Sequence, residues 1–124
     1  MKEFLFVFIG GGLGSACRYG ISLLKDHFGD GAIPWHTLIV NIVGSLLIGL
    51  LMALFEKMPG HWLSFLMVTG FCGGFTTFST FSHETFKLIH GGNWTMAFVY
   101  ALISILSCLF ATGVGYLLLT PKCH

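Results

Sequence analysis

The sequence predicts an all-α membrane protein with four transmembrane helices, of which the third is broken near its middle. Of the 124 residues, 55% are hydrophobic and 9% are charged, which is more apolar surface than a soluble core of this size could bury. A hydrocarbon core of about 30 Å takes about 20 helical residues to cross, and four apolar stretches reach that length. We therefore expect one four-span membrane domain over residues 1–124, in a cell membrane.

The first span is expected over about residues 4–24 and carries a face of small residues. Gly10 and Gly14, one helical turn apart, would let another helix approach its backbone closely. Leu13 to Cys17 resembles a lipoprotein cleavage site, but an uncleaved span is the better interpretation because three further spans follow. Arg18 lies near the end of the span, where it could snorkel to the interface, attract an anion or brace the fold.

The second span, at about residues 36–55, has polar and small residues along one helical stripe. They are Thr37, Asn41, Gly44, Ser45, Ile48 and Gly49. Asn41 lies inside the apolar run, where an asparagine either makes a hydrogen bond to a neighbouring helix or serves a function. The residues alone leave both open.

The third apolar segment, at about residues 62–89, is longer than one membrane crossing needs. Its 28 residues would form a helix of about 42 Å. The surplus coincides with Gly73-Gly74 and Thr76-Thr77, four weak helix formers. A broken membrane helix leaves carbonyl and N–H groups that lipid cannot satisfy, so the break is expected to line a cavity or bind an ion.

The residues around the predicted break suit a small, hard anion. Amide and hydroxyl groups there offer hydrogen-bond donors, and phenylalanine rings carry a partly positive edge. Phe78 and Phe81 would project from one helical face, and the second half-helix would point its N-terminal N–H groups into the membrane. The carbonyls around Gly73, at the end of the first half-helix, would suit a dehydrated monovalent cation shared with a symmetric partner.

The fourth span, at about residues 95–119, has a mildly polar stripe of residues that recur at every fourth position. They are Tyr100, Ser104, Cys108 and Thr112. Helix packing through small polar residues explains such a stripe as well as a function does.

Lysine and arginine are distributed evenly between the two sides that a four-span topology defines. One side would hold Lys2, Lys57 and Lys122, and the other Lys25, Lys87 and Arg18. Without a charge bias the positive-inside rule sets no orientation. Insertion in both orientations, followed by assembly as an antiparallel pair, is therefore expected.

Composition and spacing exclude several other classes of function. The net charge is +1 with no basic run, so no nucleic-acid partner is expected. His83-Glu84 begins like the zinc-protease motif H-E-x-x-H, but Lys87 occupies the position of the second histidine. The four cysteines lack metal-type spacing and are interpreted as free thiols. We therefore expect that the protein is not an enzyme.

Three motifs together resemble the Fluc (CrcB) family of fluoride channels, and the resemblance covers the whole chain. They are G-G-G-L-G-S-A-C-R-Y at residues 10–19, T-L-I-V-N-I-V-G-S at residues 37–45 and G-F-C-G-G-F-T-T-F-S-T-F at residues 70–81. The resemblance implies a fluoride-selective channel that exports cytoplasmic fluoride passively. It also implies an antiparallel, dual-topology homodimer in the bacterial inner membrane, with a structural sodium ion at the dimer interface.

The resemblance further implies which residues would serve each ion. The implied fluoride pathway comprises Arg18, Thr37, Asn41, Phe78, Ser79, Thr80, Phe81, Tyr100 and Ser104. Phenylalanine ring edges, the asparagine amide and the hydroxyl groups would contact the anion, and the backbone carbonyls of Gly73 and Thr76 would bind sodium. Cys108 stands where a hydroxyl residue is expected, which leaves the outer part of the polar track on the fourth span open.

The main alternative is a small dual-topology exporter of organic cations. Such a transporter needs an ionisable carboxylate deep in a span. Glu3 and Glu56 lie at segment ends, and Glu84 is expected at the aqueous end of the third span. A helper subunit with no transport activity of its own is a second alternative.

Overall fold

The computed structural model describes residues 1–28 and 31–120, and all regular secondary structure in that part of the chain is helical. α1 spans Lys2–Ser22 and α2 spans Trp35–Phe55. A short 3-10 helix, Lys25–Phe28, lies in the loop between them. Lys122, which enters the predicted charge balance, lies outside the described residues, as does Cys123.

The third apolar segment forms two helices. α3 consists of α-helical Trp62–Ser64, π-helical Phe65–Cys72 and α-helical Gly73–Phe75. α4 spans Phe78–His90, and α5 spans Trp94–Leu119.

Among the described residues, four helical segments are long and apolar enough to cross a membrane, when α3 and α4 together count as one. Their bounds lie within a few residues of the predicted ones, and the third is interrupted between α3 and α4. The expectation of four long apolar helices with a broken third is therefore confirmed. Large apolar side chains on α1 and α5, such as Phe8 and Phe110, are exposed, as expected for lipid-facing surfaces.

The chain leaves the helix at the threonine pair and not at the glycine pair. Gly73 and Gly74 are helical, whereas Thr76 and Thr77 are extended, with ψ angles of 156° and 123°. Gly74 has a different role, because a Cβ there would overlap the backbone of Gly11 on α1. Threonine is β-branched and adopts extended backbone readily, so the break falls one turn later than the weakest helix formers.

The π-helical segment in α3 was not predicted, because no pattern in the sequence indicates a π-helix there. In a π-helix each N–H bonds five residues back, which widens the helix. This segment packs along α1, where Cβ atoms added at Gly10 and Gly14 would overlap the carbonyl oxygens of Leu66 and Phe71. The small face predicted for the first span is therefore the surface on which α3 rests.

α2 and α5 form the second close helix pair. Gly49 on α2 and Gly115 on α5 are buried, and a Cβ at either position would overlap backbone of the opposite helix. Thr112 donates a hydrogen bond of 3.1 Å from Oγ1 to the Ser45 carbonyl across this contact. The two pairs, α1 with α3 and α2 with α5, hold the break between them.

Candidate functional site

Asn41 replaces the helical hydrogen bonds that the break removes. In a continuous helix the N–H of Thr77 would donate to the Gly73 carbonyl. Here it donates to Oδ1 of Asn41 at 2.9 Å, and Nδ2 of Asn41 donates to the Thr77 carbonyl at 3.1 Å. Since an amide side chain has two N–H donors, one remains for another acceptor. The interhelical interpretation of Asn41 is therefore correct, and it leaves room for a second function.

Thr77 is also the N-cap of α4. Its Oγ1 accepts a hydrogen bond from the Thr80 N–H at 3.2 Å, which satisfies one of the free donors at the start of the helix. The same oxygen donates to Oγ1 of Thr80 at 3.1 Å and lies 3.4 Å from Oγ of Ser79. Thr77 was not among the predicted site residues, although a threonine just before a helical run is a typical N-cap signal.

Arg18 and Ser15 satisfy the Gly74 carbonyl, whose helical donor is lost at the break. Nε of Arg18 donates to the Gly74 carbonyl at 3.1 Å, and Oγ of Ser15 donates at 3.4 Å. Of the three interpretations of Arg18, the structure supports a brace. Arg18 also lines a cavity, so an interaction with an anion there stays a prediction.

In the part of the chain that the structure describes, two cavities border the break, and a third shares lining residues with one of them. The break cavity has a volume of about 330 Å³ and is lined by Asn41, Gly44, Ser45, Ile48, Cys72, Thr76, Thr77, Phe78, Phe81, Ser104, Ile105 and Cys108. The arginine cavity measures about 380 Å³ and is lined by Ser15, Arg18, Tyr19, Ser22, His36, Thr37, Val40, Thr77 and Thr80. The loop cavity, of about 720 Å³, includes Lys25, Asp26, His36, Thr80, His83, Glu84 and Lys87.

Thr77 lines both the break cavity and the arginine cavity, and it lies at the interruption of the third span. His36 and Thr80 line both the arginine cavity and the loop cavity. The three spaces therefore adjoin in series, from the polar loop after α1 to the middle of the third span.

Three aromatic rings form a chain beside the break cavity. The ring centroids of Phe78 and Phe81 are 5.7 Å apart with an interplanar angle of 46°. Those of Phe81 and Tyr100 are 5.2 Å apart with an angle of 43°. Tilted rings turn partly positive edges toward neighbouring groups. Phe78 is 78% exposed in the single chain.

Three buried oxygen atoms near the break have no hydrogen-bond partner among the described residues. They are Oγ of Ser104, the hydroxyl of Tyr100 and Oε2 of Glu84. Buried polar groups are almost always paired, and these three atoms are exceptions within the described part of the chain. Ser104 borders the break cavity, whereas Tyr100 lies fully buried behind Phe81.

Glu84 is closer to the site than predicted. It was expected only to mark the aqueous end of the third span, but its carboxylate is half-buried and accepts a hydrogen bond from Oγ1 of Thr37 at 2.5 Å. The sequence carries a signal for this position, since Glu84 follows Thr77 and Thr80 at helical spacing. That spacing predicts that the three side chains lie on the same face of α4.

The structure gathers most of the predicted pathway residues around these cavities. Asn41, Phe78, Phe81 and Ser104 border the break cavity, and Arg18, Thr37 and Thr80 border the arginine cavity. Three predicted residues do not line either cavity: Ser79 and Gly73 are exposed, and Tyr100 is buried. Within the described ranges no cluster of three or more histidine, cysteine, aspartate or glutamate side chains could hold a metal ion.

This fold and site define a small multi-pass membrane protein whose broken third span borders cavities lined by polar and aromatic side chains. A model of the family described as CrcB-like protein, Camphor Resistance (CrcB), matches residues 5–116. The chain therefore belongs to the CrcB family, as the three sequence motifs indicated.

Curated relatives carry one shared name, fluoride-specific ion channel FluC. The protein from Flavobacterium psychrophilum is 38% identical over 95% of this chain and 97% of its own length. The protein from Geobacter sp. (strain M21) is 42% identical over 93% of this chain and 94% of its own length. The protein from Coxiella burnetii (strain CbuK_Q154) is 42% identical over 92% and 94% respectively.

Proposed function

We propose that this chain forms a fluoride-selective channel that carries fluoride passively out of the cytoplasm, in the inner membrane of a bacterium. The observation that carries the proposal is the alignment of this chain with channels named for fluoride over nearly their whole lengths. The cavities at the break agree with it, because their walls combine hydrogen-bond donors, aromatic rings and positive charge. The relatives are named as ion channels, so the chain is not an enzyme, and nothing favours an exporter of organic cations.

Selectivity for fluoride follows from the donors at the break. A pore must replace the ion's water with groups of its own. Around the break cavity these are the second N–H of Asn41, the unpaired hydroxyl of Ser104 and the ring edges of Phe78 and Phe81. Such donors suit fluoride better than chloride, because chloride is larger and accepts hydrogen bonds more weakly.

The arginine and loop cavities provide an entrance suited to anions. Arg18, Lys25, Lys87 and two histidines line them, against the acidic Asp26 and Glu84. Arg18, Lys25 and Lys87 outnumber Asp26 and Glu84 by one, so the formal charge of this lining is +1, and a positive cleft raises the local concentration of anions. Fluoride enters a cell largely as the neutral acid, which dissociates inside, and the anion then leaves down its electrochemical gradient through this route.

A second, inverted copy of the chain would complete the pore. Phe78, Ser79 and Gly73 are exposed in the single chain, although they belong to the broken segment that lipid cannot satisfy. An antiparallel homodimer would cover this face with its own equivalent and is compatible with the even distribution of charge. A topology reporter fused to the C-terminus should appear on both sides of the membrane; a signal on one side alone would contradict dual topology.

Sodium would bind where the two breaks cross. The Thr77 N–H is directed to Asn41, so it no longer donates to the Gly73 carbonyl, and Thr76 turns out of the helix directly afterwards. Carbonyl groups freed in this way suit a dehydrated monovalent cation, and two of them from each of two chains would form a four-oxygen site. Replacing sodium with a large organic cation should reduce transport or dimer stability; equal behaviour in both salts would argue against the site.

Purified protein in liposomes, with a fluoride electrode, tests the channel proposal. The wild type should release trapped fluoride when the membrane potential is short-circuited and should retain chloride. Phe78→Ile and Phe81→Ile should each abolish fluoride release, because isoleucine fills the space without a positive ring edge. Val43→Ile, on an exposed part of α2, is the matched control. Normal release by both phenylalanine variants would contradict the pathway.

A further inference from the structure

Glu84 is an acidic side chain on a route assigned to an anion, and the proposed pathway gives it no role. It lies on α4, half-buried, and lines the loop cavity. Its Oε1 accepts a hydrogen bond of 2.5 Å from Oγ1 of Thr37, which lines the neighbouring arginine cavity. The carboxylate therefore lies where these two cavities adjoin.

The bond from Thr37 leaves an anion without a hydrogen-bond donor from this residue. A threonine hydroxyl has a single O–H, and that of Thr37 is directed to the Glu84 carboxylate. An anion that passes between the two cavities therefore meets a negative group whose partner hydroxyl is already used. This arrangement opposes anions, whereas the rest of the entrance attracts them.

The Glu84 carboxylate offsets part of the positive charge of the entrance. Among the described residues that line the two cavities, Arg18, Lys25 and Lys87 are positive, and Asp26 and Glu84 are negative. Three positive against two negative groups give a formal charge of +1, which would be +2 without Glu84. Since the Coulomb energy is proportional to the charge of the ion, a divalent anion gains twice as much as a monovalent one from that change.

An anion that binds too tightly at the entrance of a channel blocks it, because conduction requires that each bound ion also leaves. Divalent oxyanions are the ions most at risk of being held there, since every cationic group attracts them twice as strongly as it attracts fluoride. A negative group at the boundary of the two cavities lowers their occupancy more than it lowers that of fluoride.

We propose that Glu84 is a specificity-determining residue of the anion entrance, whose negative charge keeps divalent oxyanions such as sulfate and hydrogenphosphate from occupying and blocking it. The weakened binding of divalent ions depends only on the charges of the two cavities. The protection of fluoride flow rests on the proposed channel function.

Two substitutions separate the charge of Glu84 from its hydrogen bond. Glutamine keeps a side-chain oxygen that can accept from Thr37, so Glu84→Gln removes the charge and retains the acceptor. Glu84→Asp retains the charge on a shorter side chain. If Glu84 served only to hold Thr37, Glu84→Gln would leave the response to the charge of an inhibiting ion unchanged.

The experiment measures how sulfate and perchlorate inhibit fluoride release from liposomes that contain the full chain. It is performed at constant ionic strength and about pH 8, where histidine side chains are largely neutral. Perchlorate has the tetrahedral shape of sulfate but a single charge. Both ions should inhibit Glu84→Gln at lower concentrations than the wild type. The gain for sulfate should be about the square of the gain for perchlorate, for example about ninefold against about threefold.

Glu56→Gln is the matched control for the loss of one carboxylate. Glu56 also accepts a hydrogen bond from a hydroxyl, that of Tyr116 at 2.6 Å, but it lines none of the three cavities. This variant and Glu84→Asp should respond to sulfate as the wild type does. Combining Glu84→Gln with Lys87→Gln restores the formal charge of +1 and should return the sulfate inhibition toward the wild-type value.

Equal inhibition of the wild type and Glu84→Gln by sulfate, or equal gains for sulfate and perchlorate, would overturn the inference while the channel proposal stands. Should Glu84→Gln fail to fold, stronger sulfate inhibition of Glu84→Asp than of the wild type would overturn it. Failure of the proposed function is seen separately, as absence of fluoride release before either ion is added. Calorimetric titration of sulfate into the purified proteins then still decides whether Glu84→Gln binds sulfate more tightly than the wild type.

Discussion

Replacing Asn41 with leucine should destabilise the protein by removing the only side-chain bonds by which α2 holds Thr77. The Asn41 amide uses one of its two N–H donors and its oxygen in these bonds, at 3.1 and 2.9 Å. Leucine fills a similar volume but leaves one backbone N–H and one carbonyl unpaired. Both hydrogen bonds are part-buried, and at about 0.5–1.5 kcal/mol each their loss should lower the free energy of unfolding by about 1–3 kcal/mol.

Reversible unfolding in mixed detergent micelles measures this loss. Val43→Ala is the matched control, since Val43 lies two residues away on α2 and is 47% exposed. A second readout is hydrogen exchange at the Thr77 amide, which should quicken in Asn41→Leu because its acceptor is gone. If Asn41→Leu proved as stable as Val43→Ala, with slow exchange at Thr77, the assignment of Asn41 as the clamp of the break would be refuted.

Two further predictions concern the helices around the break. Gly14→Ala should destabilise the fold by about 1–3 kcal/mol, because the new methyl group overlaps the Phe71 carbonyl oxygen, whereas Gly12→Ala, with nothing within 4 Å, should have almost no effect. Equal melting temperatures for the two variants would contradict the close contact between α1 and α3. Thr77→Ala removes the N-cap bond to Thr80 and should cost about 0.5–2 kcal/mol, while Thr77→Ser should restore most of it.

Much of the fold could be predicted because it depends on local composition. Four apolar stretches of membrane-spanning length require helices wherever lipid surrounds the backbone, since no other segment can satisfy its own polar groups there. The surplus length of the third stretch required an interruption, and the residues from Gly73 to Thr77 marked it to within one turn. The glycine face of α1 likewise predicted a close helix contact before the partner helix was known.

The candidate site could be predicted only in part, because its residues interact across large sequence separations. Asn41 and Thr77 are 36 positions apart, and Arg18 and Gly74 are 56 apart. No periodicity in the sequence predicts that an asparagine on one helix will form hydrogen bonds with the backbone of another segment. Glu84 was missed for the same reason, since its hydrogen bond to Thr37 depends on how α2 and α4 meet.

The sequence by itself determined that this chain crosses the membrane four times, that the third crossing is interrupted, and to which family it belongs. Hydrophobic burial and backbone hydrogen bonding in lipid act on short segments, so composition and motifs carry that information. Only the tertiary structure decided where the helix stops, which carbonyls lose their donors and which side of α5 meets the break. Those features follow from pairing between helices, where the polar groups released by one segment are satisfied by side chains of another.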